Sequence, residues 1–216
     1  MINVIFDVDG TLVDSYALDS VLFCQAVDDV LGPTKIRSDW ADYTHVTDAG
    51  ILAEIFQDNH IRPDGRLVSA VRERFGHLVS TALTEEPCAP VPGAEAAIDI
   101  LHIRLDISVG VATGGWSQTA RAKLGAAGFE PSSWIIASSD DHAERTHIMR
   151  TCQARLAEPS APTVYIGDGE WDQIACEALG WAFVGIGGRL KGKTPVWIED
   201  YASCDMSRIL EDALAS

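Results

Sequence analysis

Five short apolar runs, rich in β-branched residues and without polar alternation, constrain this chain more than any other feature: Ile2 to Phe6, Ile107 to Ala112, Trp134 to Ala137, Val164 to Ile166 and Ala182 to Ile186. Each ends in small or acidic residues. Runs of this kind suit strands buried on both faces of a parallel sheet, and such strands need helices to cover them. The helices are legible between the runs. Ala94, Ala97, Ile98 and Leu101 recur at helical spacing, as do Ile148, Met149, Cys152 and Leu156, and Ile174, Ala175, Ala178 and Leu179. Gly125 and Gly128 close a helix that starts near Ser117, and Gly180 closes one that starts near Glu170. From Pro92 onward, helix and strand alternate, which predicts an α/β fold with a doubly wound parallel sheet.

The stretch from Asp14 to Pro90 breaks that rhythm. It carries amphipathic patterns (Leu18, Val21, Leu22, Ala26; Ile51, Leu52, Ile55, Phe56; Leu67, Val68, Val71, Phe75, Leu78) and no strand signal, and Pro87, Pro90 and Pro92 then crowd a short hinge or linker. The expected division is a Rossmann-like core from residues 1–14 and 91–216, with an inserted α-helical domain from 15–90. A length of 216 residues accommodates both.

Charge narrows the partners. With 16 Lys and Arg against 32 Asp and Glu, the net charge is −16. That argues against nucleic acid, whose phosphates need a basic surface, and against an anionic membrane. No apolar run approaches the roughly 20 residues that cross a bilayer. Five scattered cysteines form no C-x-x-C pair and there is no signal-peptide pattern, so reduced thiols in a cytoplasmic protein are expected, with Cys152 and Cys176 in the core.

Some of the acids sit where chemistry is done. Asp7 and Asp9 are two apart on an extended segment at the carboxyl end of the first strand, so both point to one side, where open α/β sheets bind ligands. Gly10 then frees the backbone to turn. An isolated Asp-x-Asp-Gly also serves as a plain turn. A second cluster, Gly167-Asp168-Gly169-Glu170-Trp171-Asp172, repeats the arrangement after the fourth run. Glu170 reads as a first-turn acid complementing the helix dipole, and Asp172 has that reading open to it too. Two acid clusters at two strand ends can face one another, and Asp7, Asp9 and Asp168 would then offer hard oxygen ligands to Mg²⁺.

Together, Asp7-Val8-Asp9-Gly10-Thr11-Leu12 and Gly167 to Asp172 resemble the first and fourth motifs of the haloacid dehalogenase-like (HAD) superfamily, over residues 1–14 and about 92–190. The resemblance implies a Mg²⁺-dependent phosphatase, of the branch that includes phosphoglycolate phosphatases, acting on a small phosphorylated metabolite. By resemblance, Asp7 is the nucleophile that becomes an aspartyl-phosphate and Asp9 the general acid and base. The metal is held by Asp7, the Asp9 main chain and Asp168, with Asp172 direct or one step removed. The second motif matches Val111-Ala112-Thr113-Gly114-Gly115, where the Thr113 hydroxyl and the N–H groups from Gly114 onward, at a helix N-terminus, would hold phosphate. The third motif is normally a lysine. Lys123, about ten residues beyond Thr113, falls roughly 15 Å along the helix axis and too far to hold that phosphate. Arg145 is the expected substitute, with a surface ion pair to Asp141 or Glu144 as the competing reading.

The inserted segment occupies the place of a C1-type cap. Its polar stretch Tyr43 to Asp48 either reaches the cleft or, more simply, caps the following helix through Thr47 or Asp48. His45 reads as a surface histidine, and Trp116 and Trp171 as walls of the site. A phosphomutase shares every core motif. A dehalogenase typically lacks the second aspartate, so Asp9 weighs against it, and a non-catalytic binding protein would have no need of the intact acids.

Overall fold

A computed structural model describes residues 1–216. Six parallel strands form one sheet in the order β3-β2-β1-β4-β5-β6: β1 (Ile2–Phe6), β2 (Ile107–Ala112), β3 (Ile136–Ala137), β4 (Thr163–Gly167), β5 (Ala182–Ile186) and β6 (Trp197–Ile198). The chain therefore moves outward from β1 through β2 to β3, then returns to lay β4 on the other side of β1. That reversal opens a crevice beyond the carboxyl ends of β1, β2 and β4.

The unbroken apolar runs are explained by burial on both faces. Val4, Phe6, Val164, Ile166, Val184 and Ile186 point into one core, with Ala94, Ile98 and Leu101 of α4 (Ala94–His102), Ala120 and Leu124 of α5 (Ser117–Ala126), and Leu210 of α8 (Met206–Leu214). Ile5 and Tyr165, one residue out of phase, point the other way, against Ile148, Met149 and Cys152 of α6 (Arg145–Arg155) and Ala175 and Cys176 of α7 (Glu170–Leu179). Cys152 and Cys176 are buried, and all five cysteines are free thiols. The run from Trp134 shortens to a two-residue strand at the sheet edge. The two-residue β6 and α8 add to the far side of the sheet.

Residues 16–85 form three helices, α1 (Tyr16–Leu31), α2 (Asp48–Asp58) and α3 (Gly65–Glu85), around an apolar cluster of their own. Phe23 meets Phe75 and Trp40 edge-on, with ring centroids 5.6 and 6.0 Å apart. Trp116, beside α5, is buried in this cluster as well. The two connections to the sheet run side by side: the Asp14 N–H donates to Ala89 O and the Val91 N–H to Leu12 O, both at 2.9 Å. No helix is long and apolar enough to cross a membrane.

Candidate active site

Backbone bonding at the end of β1 sets the first acids in place. The Asp7 N–H donates to Ile166 O at 3.0 Å, the last rung between β1 and β4. The chain then turns, with the Leu12 and Val13 N–H groups both donating to Val8 O. Gly10 makes the turn possible. Its φ is +78°, and a Cβ there would stand 2.2 Å from Asp168 Oδ2.

Asp7, Asp168 and Asp172 converge, each offering an oxygen within 4.8 Å of the others, and all three are buried. Asp172 also caps its own helix: its Oδ2 accepts from the Gly169 N–H at 3.1 Å. Thus the dipole role open to Asp172 in the sequence and its place among the clustered acids coexist. Glu170, by contrast, is exposed and pairs with Lys193. Burial is the largest influence on all three clustered carboxyls. It pushes Asp7 well above the usual carboxylate range, with Asp172 adding to the effect and Arg145 opposing it. Asp168 is pushed up to about 7, by burial and then by Asp172. Asp172 is raised by burial against the pull of Arg145. Such a group calls for a cation. Two acceptors are free to meet one: Asp168 Oδ1 is buried without a hydrogen-bond partner, and the Asp9 carbonyl accepts no hydrogen bond. The donor set is all oxygen, which fits Mg²⁺.

The Asp9 carboxylate stands apart from that cluster. It turns toward α5, where Lys123 Nζ donates to both of its oxygens at 2.6 and 2.7 Å, and the Ser15 hydroxyl donates to Oδ1 at 2.5 Å. Lys123 is therefore a part of this site, although the sequence spacing removes it. Helix α5 begins at Ser117, where its pattern predicts, so Lys123 is only six residues in, about 9 Å at 1.5 Å per residue, and a count from Thr113 overstates the path. Its side chain also leans back toward the helix start. A signal was present: Lys123 shares a helical stripe with Thr119, Ala120 and Ala127, all buried, and a lysine on a buried stripe must find partners.

Arg145 is at the site and makes neither of the surface pairs considered for it. Asp141 pairs with Arg155, and Glu144 accepts from Thr146. Arg145 is buried, with Nη1 2.8 Å from Asp172 Oδ1 and 3.7 Å from Asp7 Oδ1, while Nη2 donates to Val46 O at 2.8 Å. Its Nε has no partner. A second cation escaped the sequence: Arg189 Nη1 lies 3.2 Å from Asp168 Oδ2 and its guanidinium stacks on Tyr16, 3.9 Å from the ring centroid.

Thr113 ends β2 as expected, but the N–H groups that follow it are mostly taken. Gly115 donates to Thr113 Oγ1 (3.1 Å), Trp116 to Asp48 Oδ2 (2.8 Å) and Ser117 to Asp140 Oδ2 (2.9 Å). Among Gly114 to Ser117, only the Gly114 N–H lacks a protein acceptor. Directly after Thr113 the expected row of N–H groups for phosphate thus reduces to Gly114, because the Thr113 hydroxyl and two acidic side chains occupy the next three. Thr47 is the N-cap of α2, accepting from the Gly50 N–H at 3.1 Å, whereas Asp48 caps a helix on the other side of the cleft.

Val46, Thr47 and Asp48 reach the cleft, and Tyr43 packs among the helices instead. The cleft, about 540 Å³ and open to solvent, is lined by Asp7, Asp9, Thr113, Gly114, Arg145 and Asp168 on the sheet side. Tyr16, Asp19, Phe23 and Trp40 close it from the helices, and Trp171 forms a wall. Half-buried His45 is not among the lining residues.

A doubly wound sheet with clustered carboxylates and a buried arginine at its switch point defines an α/β protein with a candidate active site in the crevice at the strand ends. The sequence pattern of haloacid dehalogenase-like hydrolases matches residues 3–180, and the chain belongs to that family of enzymes. Among solved structures, the fold resembles a β-phosphoglucomutase from Clostridium difficile (TM-score 0.76, 16% identity, covering 100% of this chain and 98% of that one). It also resembles a hydrolase from Pseudomonas syringae (0.69, 18%, 98% and 90%) and a predicted phosphoglycolate phosphatase from Haemophilus somnus (0.63, 17%, 96% and 96%). No curated protein matches the chain in sequence.

Proposed function

We propose that this hydrolase is a Mg²⁺-dependent phosphatase that releases phosphate from a small phosphate monoester through an aspartyl-phosphate on Asp7. The observation that carries the proposal is the placement of Asp7: a buried carboxylate at the end of β1, opening on the cleft, 3.7 Å from Arg145 and within the Asp168 and Asp172 cluster. An Asp7 oxygen attacks phosphorus, the bond to the ester oxygen breaks, and Asp9 gives that oxygen its proton. Asp9 then takes a proton from a water that attacks the same phosphorus, and the bond to Asp7 breaks. Dividing one hard displacement into two easier ones is what a carboxylate nucleophile contributes. Arg145 and the free Gly114 N–H orient the phosphoryl oxygens. Mg²⁺, held by Asp7, Asp168, the Asp9 carbonyl and Asp172 directly or through water, would keep the clustered carboxylates ionised and offset charge on the phosphoryl oxygens.

Residues 15–90 serve in this reading as the cap, which selects the substrate and keeps bulk water from the intermediate. The loop from Val46 to Ala49 supports that role. It is bonded across the cleft by Val46 O to Arg145, by the Thr47 hydroxyl to Ala143 O (2.6 Å), by the Asp48 N–H to Gly114 O (2.8 Å) and by the Ala49 N–H to Ser139 Oγ (2.8 Å).

A panel of phosphorylated metabolites, assayed for phosphate release with Mg²⁺ and with EDTA, tests the proposal. Release should require the metal and vanish in Asp7→Asn, which keeps its fold because the buried charge is removed. Release by Asp7→Asn, or metal-independent release, would contradict it. An isomerised sugar phosphate without free phosphate would identify a mutase instead.

A further inference from the structure

Lys123 is the most thoroughly enclosed cation in the protein. The residue is 0% exposed, and all three protons of its ammonium are accepted: by Asp9 Oδ1 and Oδ2 at 2.6 and 2.7 Å, and by Asp19 Oδ1 at 2.5 Å. A lysine is taken fully out of water only where its partners are fixed, because its long side chain reaches solvent easily on a helix surface. The three partners come from three parts of the chain. Lys123 is on α5, Asp9 follows β1, and Asp19 is on α1. Ser15, just before α1, completes the grip on Asp9 from the other side. Together these donors fix the direction of the Asp9 carboxylate. A Cβ on Gly115 would stand 3.8 Å from Asp9 Oδ2 and 3.6 Å from Thr113 Oγ1, so the absence of a side chain at Gly115 leaves open the space that Asp9 and Thr113 both face.

We infer that Lys123 is a positioning residue for Asp9: it holds the acid–base carboxylate in its working direction and ties that direction, through Asp19, to helix α1. This role rests on the phosphatase reading above, in which Asp9 protonates the leaving oxygen. Lys123 touches neither the phosphate sites nor the clustered carboxylates of Asp7, Asp168 and Asp172, so its path to the reacting atoms runs through Asp9, while its other partner, Asp19, lines the cleft on the helix side. Its removal should harm most the substrates that depend on that proton.

The test compares kcat/KM for an alkyl phosphate, such as glycerol 2-phosphate, with kcat/KM for 4-nitrophenyl phosphate, in wild type and Lys123→Met. This ratio reports steps up to the first phosphoryl transfer. Alkoxide leaving groups need a proton and nitrophenolate does not. Positioned proton transfer is worth on the order of 10²–10⁴ in rate. Lys123→Met should therefore lose on the order of 100-fold on the alkyl ester and at least ten times less on the aryl ester. Lys123→Gln, which retains a donor, should show the same selectivity with smaller losses, and it carries the test if Lys123→Met does not fold. A folded variant that loses the two activities equally, or loses neither, overturns the inference while leaving the phosphatase reading in place. A wild-type protein inert on both esters and on the whole metabolite panel overturns that reading, and this role falls with it.

Discussion

Substituting Asp168 by Asn separates the burden of the clustered carboxylates from their use. Without a bound cation, burial and Asp172 raise the Asp168 carboxyl from 3.8 to about 7. The folded protein therefore holds a proton that the unfolded chain has already released between pH 4 and 7. Stability from this group is complete below about pH 4 and is lost as pH rises through 7. The gap of about three pH units is worth about 4 kcal/mol at 1.36 kcal/mol per unit. Asn keeps the shape and carries no charge. In EDTA at pH 8 it should stabilise the protein by about 2–4 kcal/mol, which for a chain of this size raises Tm by about 10 °C. It should also remove about one proton's worth of slope from stability against pH, leaving the part due to Asp7, Asp172 and the other buried acids. Magnesium should close most of that gap: at 100 times its Kd, a bound ion adds about 2.7 kcal/mol to the wild type, and less to the variant, which lacks the negative charge that Asp168 brings to the ion. Urea or thermal unfolding from pH 5 to 8, with EDTA and with Mg²⁺, provides the measurement. An unchanged pH slope in Asp168→Asn, or equal stabilisation of both proteins by Mg²⁺, would refute the reasoning.

Arg145→Ala should abolish most turnover and destabilise the metal-free protein by roughly 3–5 kcal/mol, because it leaves the buried Asp172 carboxylate without its cation; denaturant unfolding checks this, and Arg145→Lys should recover stability better than activity, since a single ammonium cannot serve Asp172 and Val46 O with a fork. Gly10→Ala places a side chain at φ +78° and 2.2 Å from Asp168 Oδ2, so stability should fall by about 1–2 kcal/mol from the backbone alone, and the Mg²⁺-dependent rise in Tm should shrink. Gly114→Ala would set a Cβ 2.4 Å from Arg145 Nη2 and 2.8 Å from Val46 O. It should weaken phosphate binding, read as a higher KM, and a KM equal to wild type would count against a role for this part of the cleft.

What was legible in the sequence follows from what is local. Ile2–Phe6 and Thr163–Gly167 declare themselves because strands buried on both faces need uninterrupted apolar residues, and the acids that follow inherit their position from the strand ends. Trp197–Ile198 has no such signature: two residues at a sheet edge are too short for any period. The site was legible where a residue's place on its own element fixes it, as for Asp7 and Asp168. It was not where contacts cross the molecule. Asp48 caps α5 across 68 residues, and Lys123 reaches Asp9 across 114. Distance measured along a helix axis from Thr113 misplaces Lys123, because residues 113–116 precede the helix and the side chain leans backward, and both shorten the path. The Trp116 and Ser117 N–H groups looked available for the same reason: Asp48 and Asp140, which occupy them, lie far away in sequence.

The most direct measurement is the mass of the protein quenched in acid during turnover of a phosphate monoester with Mg²⁺. The account predicts one added phosphoryl group, on the peptide that contains Asp7, absent in Asp7→Asn and accumulating when Asp9 is replaced by Asn in a reaction started with an aryl phosphate. Turnover with no covalent phosphate at Asp7, or with phosphate on any other residue, would contradict it.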